Sequence, residues 1–263
     1  MTIKEYVIQQ KALLTDEVSK LEVKPHLLII QINDDPASQA YVKGKLKDCA
    51  EVGIKATHLL LDKTISEEEV LDILDKYNKD DSVHGIIVQM PLPKQIDEEK
   101  IKISVAISKD VDGFNPLSKL NPCTPYGIIK YLRHLNFDFV GKNAVVVGRS
   151  NIVGRPMNTL LINESCNVTV LHSKTNREDM ANYLKNADLV VSAIGKKYVL
   201  AGYEYKKSAY LIDVGINRVD GKLYGDFPPE LDVAHQTPVP GGVGLLTRLA
   251  LLENLMEAYK NGI

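Results

Sequence analysis

Residues 145–156 read VVVGRSNIVGRP. An apolar run gives way to a glycine, and a second glycine follows six positions on. Strand, glycine turn and helix in that order make a phosphate cradle. Gly148 allows a tight turn, Gly154 allows helix and strand to approach closely, and Pro156 suits the first helical turn. Backbone N–H groups at such a helix end face an anion. Ser150 stands where a dinucleotide fingerprint has its second glycine and brings a hydroxyl instead. Those residues alone read more readily as a plain tight turn.

A second stretch sharpens the first. After the apolar run NVTVLH come Ser173, Lys174 and Thr175. An NAD-binding fold places an acid there for the ribose 2′-hydroxyl. Here the next acid is Glu178, and the loop offers a hydroxyl and a cation, with Arg149 nearby in such a fold. That chemistry suits a 2′-phosphate and so NADP. The alternative is that Lys174 is a solvated loop lysine.

A third pattern is YVKGKLK (41–47), where Tyr41 and Lys45 stand four apart and share one helix face. By composition, Lys43, Lys45 and Lys47 read as a solvated cluster. Gln89 closes an apolar run and Asp112 sits in KDVDG, which alone read as strand-end and turn chemistry.

Elements that alternate must position these residues. HLLIIQIN (26–33), LLLD (59–62) and HGIIVQ (84–89) read as strands. Between them, Ser38 is the expected cap of a helix to about Val52, and Ser66 with Glu69 forms a capping-box pattern before VLDILDKY. IDEEKIKISVAI (96–107) reads as another helix. Near Pro122 a second unit begins with the helix CTPYGIIKYLRHL, Thr124 its expected cap and Pro125 its first residue. NAVVVG (143–148), NVTVLH (167–172), ADLVVSAIG (187–195) and AYLIDVGIN (209–217) follow as four strands, and residues 245–259 are apolar at helical spacing. Alternation of this kind implies parallel sheets with helical crossovers, the second of Rossmann type.

The bulk properties exclude several classes. The 263 residues allow one large domain or two smaller ones. A net charge of -2 gives no polycationic surface for nucleic acid or membrane. No apolar run reaches the roughly 18 residues of a membrane span. The start, MTIKEYVIQQ, is too polar for an export signal. Cys49, Cys123 and Cys166, without CxxC spacing, read as free thiols in a reducing cytoplasm.

Eight stretches together carry a resemblance: YVKGK (41–45), GIIVQMPLP (85–93), KDVDGFNP (109–116), PCTPYGI (122–128), GRSNIVGRP (148–156), HSKT (172–175), IDVGIN (212–217) and TPVPGGVG (237–244). In type and order they resemble bifunctional methylenetetrahydrofolate dehydrogenase/cyclohydrolase, the FolD family, along nearly the whole chain. The resemblance implies an α/β protein of two domains. Residues 1–120 with 243–263 would form the catalytic, folate-binding domain, to which the C-terminal helix returns. Residues 121–242 would form the Rossmann-type NADP-binding domain, with folate bound between the two. It also implies a cytoplasmic homodimer acting on tetrahydrofolate derivatives in one-carbon metabolism and purine biosynthesis, without a metal.

Two reactions are implied. NADP⁺ takes a hydride from 5,10-methylenetetrahydrofolate, and water then opens the 5,10-methenyl cation to 10-formyltetrahydrofolate. Lys45 would move the protons, its charged form disfavoured beside a cationic intermediate. Tyr41 would pack against folate, Gln89 would aim the lysine, and Asp112 would accept from the pterin amino and ring N–H groups. Arg149 and Ser173 would take the 2′-phosphate. Gly148, Ser150 and Ile152 would form the turn beneath the pyrophosphate, and Ile216 would flank the nicotinamide. Gly241, Gly242 and Gly244 would let the backbone run close to folate and cofactor, with Leu245 beside Gly244 at the folate.

Two features depart from the family's pattern. The chain lacks the usual short N-terminal strand ending in a D-G-K turn, which puts an edge of the catalytic sheet in question. The family's GGVGPMT reads GGVGLLT, placing Leu245 and Leu246 where a folate wall is expected. Two rival readings follow: a dehydrogenase without the hydrolytic step, against which Lys45 and Gln89 argue, and a non-catalytic nucleotide-binding regulator.

Overall fold

The computed structural model describes residues 1–262, apart from the side chain of Ala37. The chain divides into two compact units, Ile8–Cys123 with Arg248–Ile263, and Met1–Val7 with Thr124–Thr247.

In the first unit, α1 (Ile3–Ser19) precedes β1 (His26–Gln31), α2 (Pro36–Val52), β2 (Lys55–Leu60), α3 (Glu67–Asn78), β3 (Gly85–Gln89) and α4 (Glu98–Ser104). A short 3₁₀ turn at Ile107–Lys109 ends the run. The strands form a parallel sheet in the order β2-β1-β3, with Ile30 opposite Leu59 on one side and Val88 on the other. Every residue of β1 is buried, as a central parallel strand covered on both faces requires. Leu28, Ile30, Val88, Leu74 and Ile101 pack together as its core. Among the described residues this sheet has three strands, and the chain enters α1 at Ile3.

The capping box at Ser66 and Glu69 is present in both directions, at 3.2 and 2.9 Å. The cap of α2 is Asp35 rather than the expected Ser38. Asp35 accepts from the Ser38 N–H at 2.8 Å and Pro36 takes the first helical position, while the Ser38 hydroxyl turns to the Met90 carbonyl. A carboxylate just ahead of a proline reaches the free N–H groups of the first turn, which leaves Ser38 inside the helix. β2 starts four residues before the expected LLLD, because an edge strand alternates in exposure and shows only its apolar tail to a reading by runs.

In the second unit, α5 (Cys123–His134) leads to β4 (Asn143–Val147), α6 (Gly154–Asn163), β5 (Asn167–Leu171), α7 (Arg177–Asn186), β6 (Leu189–Ser192) and β7 (Tyr210–Asp213). The hairpin β8 (Asn217–Val219) and β9 (Lys222–Tyr224), then β10 (His235–Gln236), follow, and α8 (Val243–Lys260) comes last, belonging to the first unit from Arg248 on. The sheet is parallel, in the order β10-β7-β6-β4-β5. It has one strand more than the four expected, since the two residues of β10 form no apolar run. The hairpin turns at Asp220-Gly221, both at positive φ. α5 begins at Cys123, two residues early, so Thr124 lies within it and its hydroxyl stands 2.9 Å from that of Thr247.

This topology has a switch point. From β4 the chain goes to β5 on one side and then to β6 on the other. In a doubly wound sheet the ligand crevice lies outside the carboxyl ends of the strands where the order reverses. Here those are the ends of β4 and β6, followed by Gly148 and Ala193.

Candidate active site

α2 carries three lysines at alternate positions, and tertiary packing separates them. Lys43 and Lys47 are exposed, whereas Lys45 is only 8% exposed. Its ammonium donates to Gln89 Oε1 at 3.2 Å. Gln89 in turn donates from Nε2 to the Met90 carbonyl at 2.9 Å, which fixes the oxygen of the amide toward the lysine. A buried cation thus faces a neutral acceptor at the end of β3.

Asp112 lies within electrostatic reach of Lys45. Burial pushes its carboxyl above the ordinary range, and the Lys45 charge is the main opposing influence. The backbone around Asp112 is held by Asn254 of α8, which is 1% exposed and donates to both the Val111 and Asn121 carbonyls at 2.9 Å. Tyr41, half-buried one turn before Lys45, has its phenol pushed up by burial and drawn down by the Arg248 charge. Arg248 Nε lies 3.0 Å from Asp48 Oδ2, and the buried Asp48 also pairs with Lys11. The unit therefore gathers Tyr41, Lys45, Gln89 and Asp112, supported by Arg248, Asp48 and Asn254. Sequence reasoning missed the last three, since no local pattern marks them.

The glycine turn of the second unit is shaped by close approach. Gly148 has φ of 130°, and a Cβ there would come within 2.8 Å of the Ala193 carbonyl oxygen. A Cβ on Gly154 would stand 2.4 Å from the Gly148 oxygen, so the two glycines close the turn on one another. The Ser150 hydroxyl accepts from the Val153 and Gly154 N–H groups at 3.2 and 3.3 Å. Its oxygen thus takes up two N–H groups at the mouth of α6.

Around this turn, β4 and β5 pair in register at Val147 and Leu171, and the Gly148 N–H donates to the Leu171 carbonyl. Arg149 and Ser173 therefore leave adjacent strands at matching positions, and both are exposed, as is Lys174. Ile152 is half-buried. Ile216, in the loop after β7, is 47% exposed. The tight glycine turn at the mouth of α6, an exposed cation and an exposed hydroxyl have the chemistry to take a dinucleotide carrying a 2′-phosphate.

Gly244 and Leu245 occupy the first turn of α8 and are half-buried. Leu246 is fully buried. Of the two leucines expected at a folate wall, Leu245 therefore keeps partial exposure and Leu246 keeps none. The thiols of Cys49, Cys123 and Cys166 are all free and buried. Burial pushes that of Cys49 up to about 12 and that of Cys166 up to about 11.

A parallel sheet with a glycine turn at its switch point, and a separate α/β unit with a buried lysine and carboxylate, define a two-domain α/β enzyme that uses a dinucleotide. The comparisons with known proteins make this specific. Residues 2–112 match the catalytic domain of tetrahydrofolate dehydrogenase/cyclohydrolase, and residues 122–263 match its NAD(P)-binding domain. The chain belongs to the tetrahydrofolate dehydrogenase/cyclohydrolase family. It is 44% identical to the bifunctional protein FolD of Oceanobacillus iheyensis, over 98% of this chain and 94% of the relative. The crystal structure of the bifunctional FolD of Campylobacter jejuni superposes with a TM-score of 0.95 at 41% identity, covering 99% of this chain and 98% of that one. The FolD of Trypanosoma brucei, solved in complex with NADP cofactor and an inhibitor, superposes with a TM-score of 0.92 at 31% identity, covering 99% and 97%.

Proposed function

We propose that this chain carries out two successive reactions of one-carbon metabolism. It oxidises 5,10-methylenetetrahydrofolate to the 5,10-methenyl cation and hydrolyses that cation to 10-formyltetrahydrofolate. The observation that carries the reading is the buried Lys45 ammonium on Gln89, with Asp112 in reach of its charge.

NADP⁺, when bound, supplies the hydride acceptor for the oxidation. Arg149 and Ser173 would hold its 2′-phosphate, Gly148, Ser150 and Ile152 the turn beneath its pyrophosphate, and Ile216 a flank of its nicotinamide. Asp112 accepts from the pterin amino and ring N–H groups, and Tyr41 packs against folate. Gly244 and Leu245 line the approach to it.

In the hydrolysis, a water oxygen bonds to the methenyl carbon and loses a proton. The bond from that carbon to one ring nitrogen then breaks, the departing nitrogen gains a proton, and the formyl C=O forms as the hydroxyl proton leaves. Lys45 is placed to move those protons, taking one as the amine and giving one as the ammonium, and Gln89 keeps its nitrogen aimed. Proton transfer by a positioned group typically contributes about 10²–10⁴-fold. The reading extends to a cytoplasmic homodimer that acts on small folates rather than on nucleic acid or membranes. The near-neutral charge supports the choice of partner, and among the described residues no helix is long and apolar enough to cross a membrane.

The test is incubation with methylenetetrahydrofolate and NADP⁺, following NADPH and methenyl absorbance together. NADPH formation with methenyl decay supports the proposal. Methenyl accumulation alone would identify a dehydrogenase without hydrolysis, and no reaction a non-catalytic regulator.

A further inference from the structure

Two buried aspartates in the second unit take no part in the chemistry above. Asp213 ends β7 and is 3% exposed; Asp226 follows β9 and is 0% exposed. Their oxygens are filled by N–H and O–H donors. Asp226 Oδ2 accepts from the Ser192 hydroxyl at 2.7 Å, the Ile194 N–H at 2.9 Å and the Gly195 N–H at 3.3 Å. Its Oδ1 accepts from the Lys196 N–H at 2.8 Å. Asp213 Oδ1 accepts from Gly215 N–H at 3.0 Å and Asp226 N–H at 3.1 Å, and Oδ2 from Phe227 N–H at 3.0 Å.

The glycines beside them complete the arrangement reciprocally. A Cβ on Gly215 would stand 2.3 Å from Asp226 Oδ1, and one on Gly225 would stand 2.1 Å from Asp213 Oδ2. Each carboxylate thus rests on the glycine next to the other. A carboxylate filled by several donors in a dry site is held stiffly, because each charge-assisted bond is short and strong.

What the pair fixes is the carboxyl end of the sheet. Asp226 ties down residues 194–196, the loop leaving β6, whose first member Ala193 abuts Gly148. Through Gly215 the same carboxylate bears on the loop leaving β7, which carries Ile216. These loops stand at the ends of neighbouring strands, beside the glycine turn.

We propose that Asp226, locked by Asp213, is a positioning residue for the dinucleotide: it sets the loops after β6 and β7 that form the wall on which the nicotinamide half is aligned. The inference rests on the reading that this unit binds a nicotinamide dinucleotide. A purely structural role would lower stability and reduce both reactions alike. A positioning role separates them, because methenyl hydrolysis needs no hydride acceptor.

The experiment compares Asp226→Asn, Gly215→Ala and Ser192→Ala with the unmutated chain. NADPH affinity is read by fluorescence, dehydrogenase kcat/KM for NADP⁺ by absorbance, methenyl hydrolysis without dinucleotide, and folding by thermal melt. Small misplacement of reacting groups costs on the order of 100-fold, so Asp226→Asn and Gly215→Ala should lose about 30-fold or more in dehydrogenase kcat/KM. Ser192→Ala, which removes one bond, should lose a few-fold, and hydrolysis should stay within about twofold in all three. Should the first two fail to fold, the same split in Ser192→Ala decides. Folded variants that keep full dehydrogenase kcat/KM, or lose both reactions in equal proportion, overturn the proposal. An unmutated chain that binds no nicotinamide dinucleotide overturns the functional reading itself, and this inference with it.

Discussion

The Lys45 ammonium of α2 and the Gln89 amide of β3 meet at 3.2 Å, and the amide is held from behind by the Met90 carbonyl. Lys45→Met keeps most of the stem and removes the amine. Methenyl hydrolysis should fall by about 100-fold or more, the usual contribution of a positioned proton-transfer group. NADPH binding should persist, because the residues proposed for it belong to the other unit. The check is hydrolysis rate beside NADPH fluorescence titration, and full hydrolysis in the variant would remove Lys45 from the mechanism.

Cofactor choice is the second expectation. Arg149 and Ser173 leave adjacent strands at matching positions, both exposed, and no acid follows β5 before Glu178. The chain should prefer NADP⁺ to NAD⁺. A bond to a charged group is worth about 1.5–3 kcal/mol, so Arg149→Ala should cost about ten- to a hundredfold in that preference. Equal kcat/KM for the two cofactors in the unmutated chain would refute it.

Asn254 gives a third. Its amide nitrogen satisfies the Val111 and Asn121 carbonyls, on either side of Asp112. Asn254→Leu leaves the Val111 carbonyl with only the Cys123 thiol and the Asn121 carbonyl without the Asn254 donor, at about 1–3 kcal/mol for an unsatisfied group. Folate KM should rise more than NADP⁺ KM, since the Asp112 loop is what loosens. Urea unfolding and the two KM values test this; an unchanged folate KM would reduce Asn254 to a purely structural role.

These cases show what the sequence makes legible. β1 and β4 read correctly because central parallel strands are unbroken apolar runs. β2 read short because an edge strand is not such a run, and β10 is too brief to carry a pattern. Lys45 is chemically indistinguishable from Lys43 and Lys47 along the chain; only packing of α2 toward β3 buries it, so the family resemblance and not composition singled it out. Asp213 and Asp226 stand thirteen positions apart with a hairpin between them, and their mutual fit exists only in three dimensions. Asp35 displaced Ser38 as a cap for a local reason that Asp-Pro at the helix entry already announces.

Asp213 also sets a pH dependence. Burial pushes its carboxyl up from an ordinary 3.8 to about 6, with the N–H groups of Phe227 and Asp226 opposing and the Asp226 charge adding to the rise. The folded protein therefore holds more protons than the unfolded chain between those values. The stabilisation is complete below about 3.8 and is lost as pH rises through about 6. Asp213→Asn has no such titration. The stability gap between the unmutated chain and this variant should be wider near pH 4.5 than near pH 7.5, by about 2 kcal/mol. Urea unfolding at both pH values measures it, and a gap that is equal or wider at the higher pH would contradict the assignment.

The pair Leu245-Leu246 separates into two predictions. Leu246 is fully buried, so Leu246→Met is a nearly volume-conserving core change costing less than about 1.5 kcal/mol. It should leave folate KM where it was. Leu245 is half-buried in the first turn of α8, and its N–H donates to the Gly242 carbonyl at 3.0 Å. Leu245→Pro removes that bond, worth about 1 kcal/mol. It also stiffens the strip after Gly244, which returns about 0.4–1 kcal/mol through the unfolded chain. The two effects nearly cancel in stability. They do not cancel in binding, where a strip already ordered loses less freedom when folate docks. Folate KM should therefore fall by about two- to fivefold in Leu245→Pro, with NADP⁺ KM unchanged. Both single variants are assayed for the two KM values and for melting temperature. A shift in folate KM from Leu246→Met alone, or none from a folded Leu245→Pro, would show that the substrate reads this strip through the core rather than through Leu245.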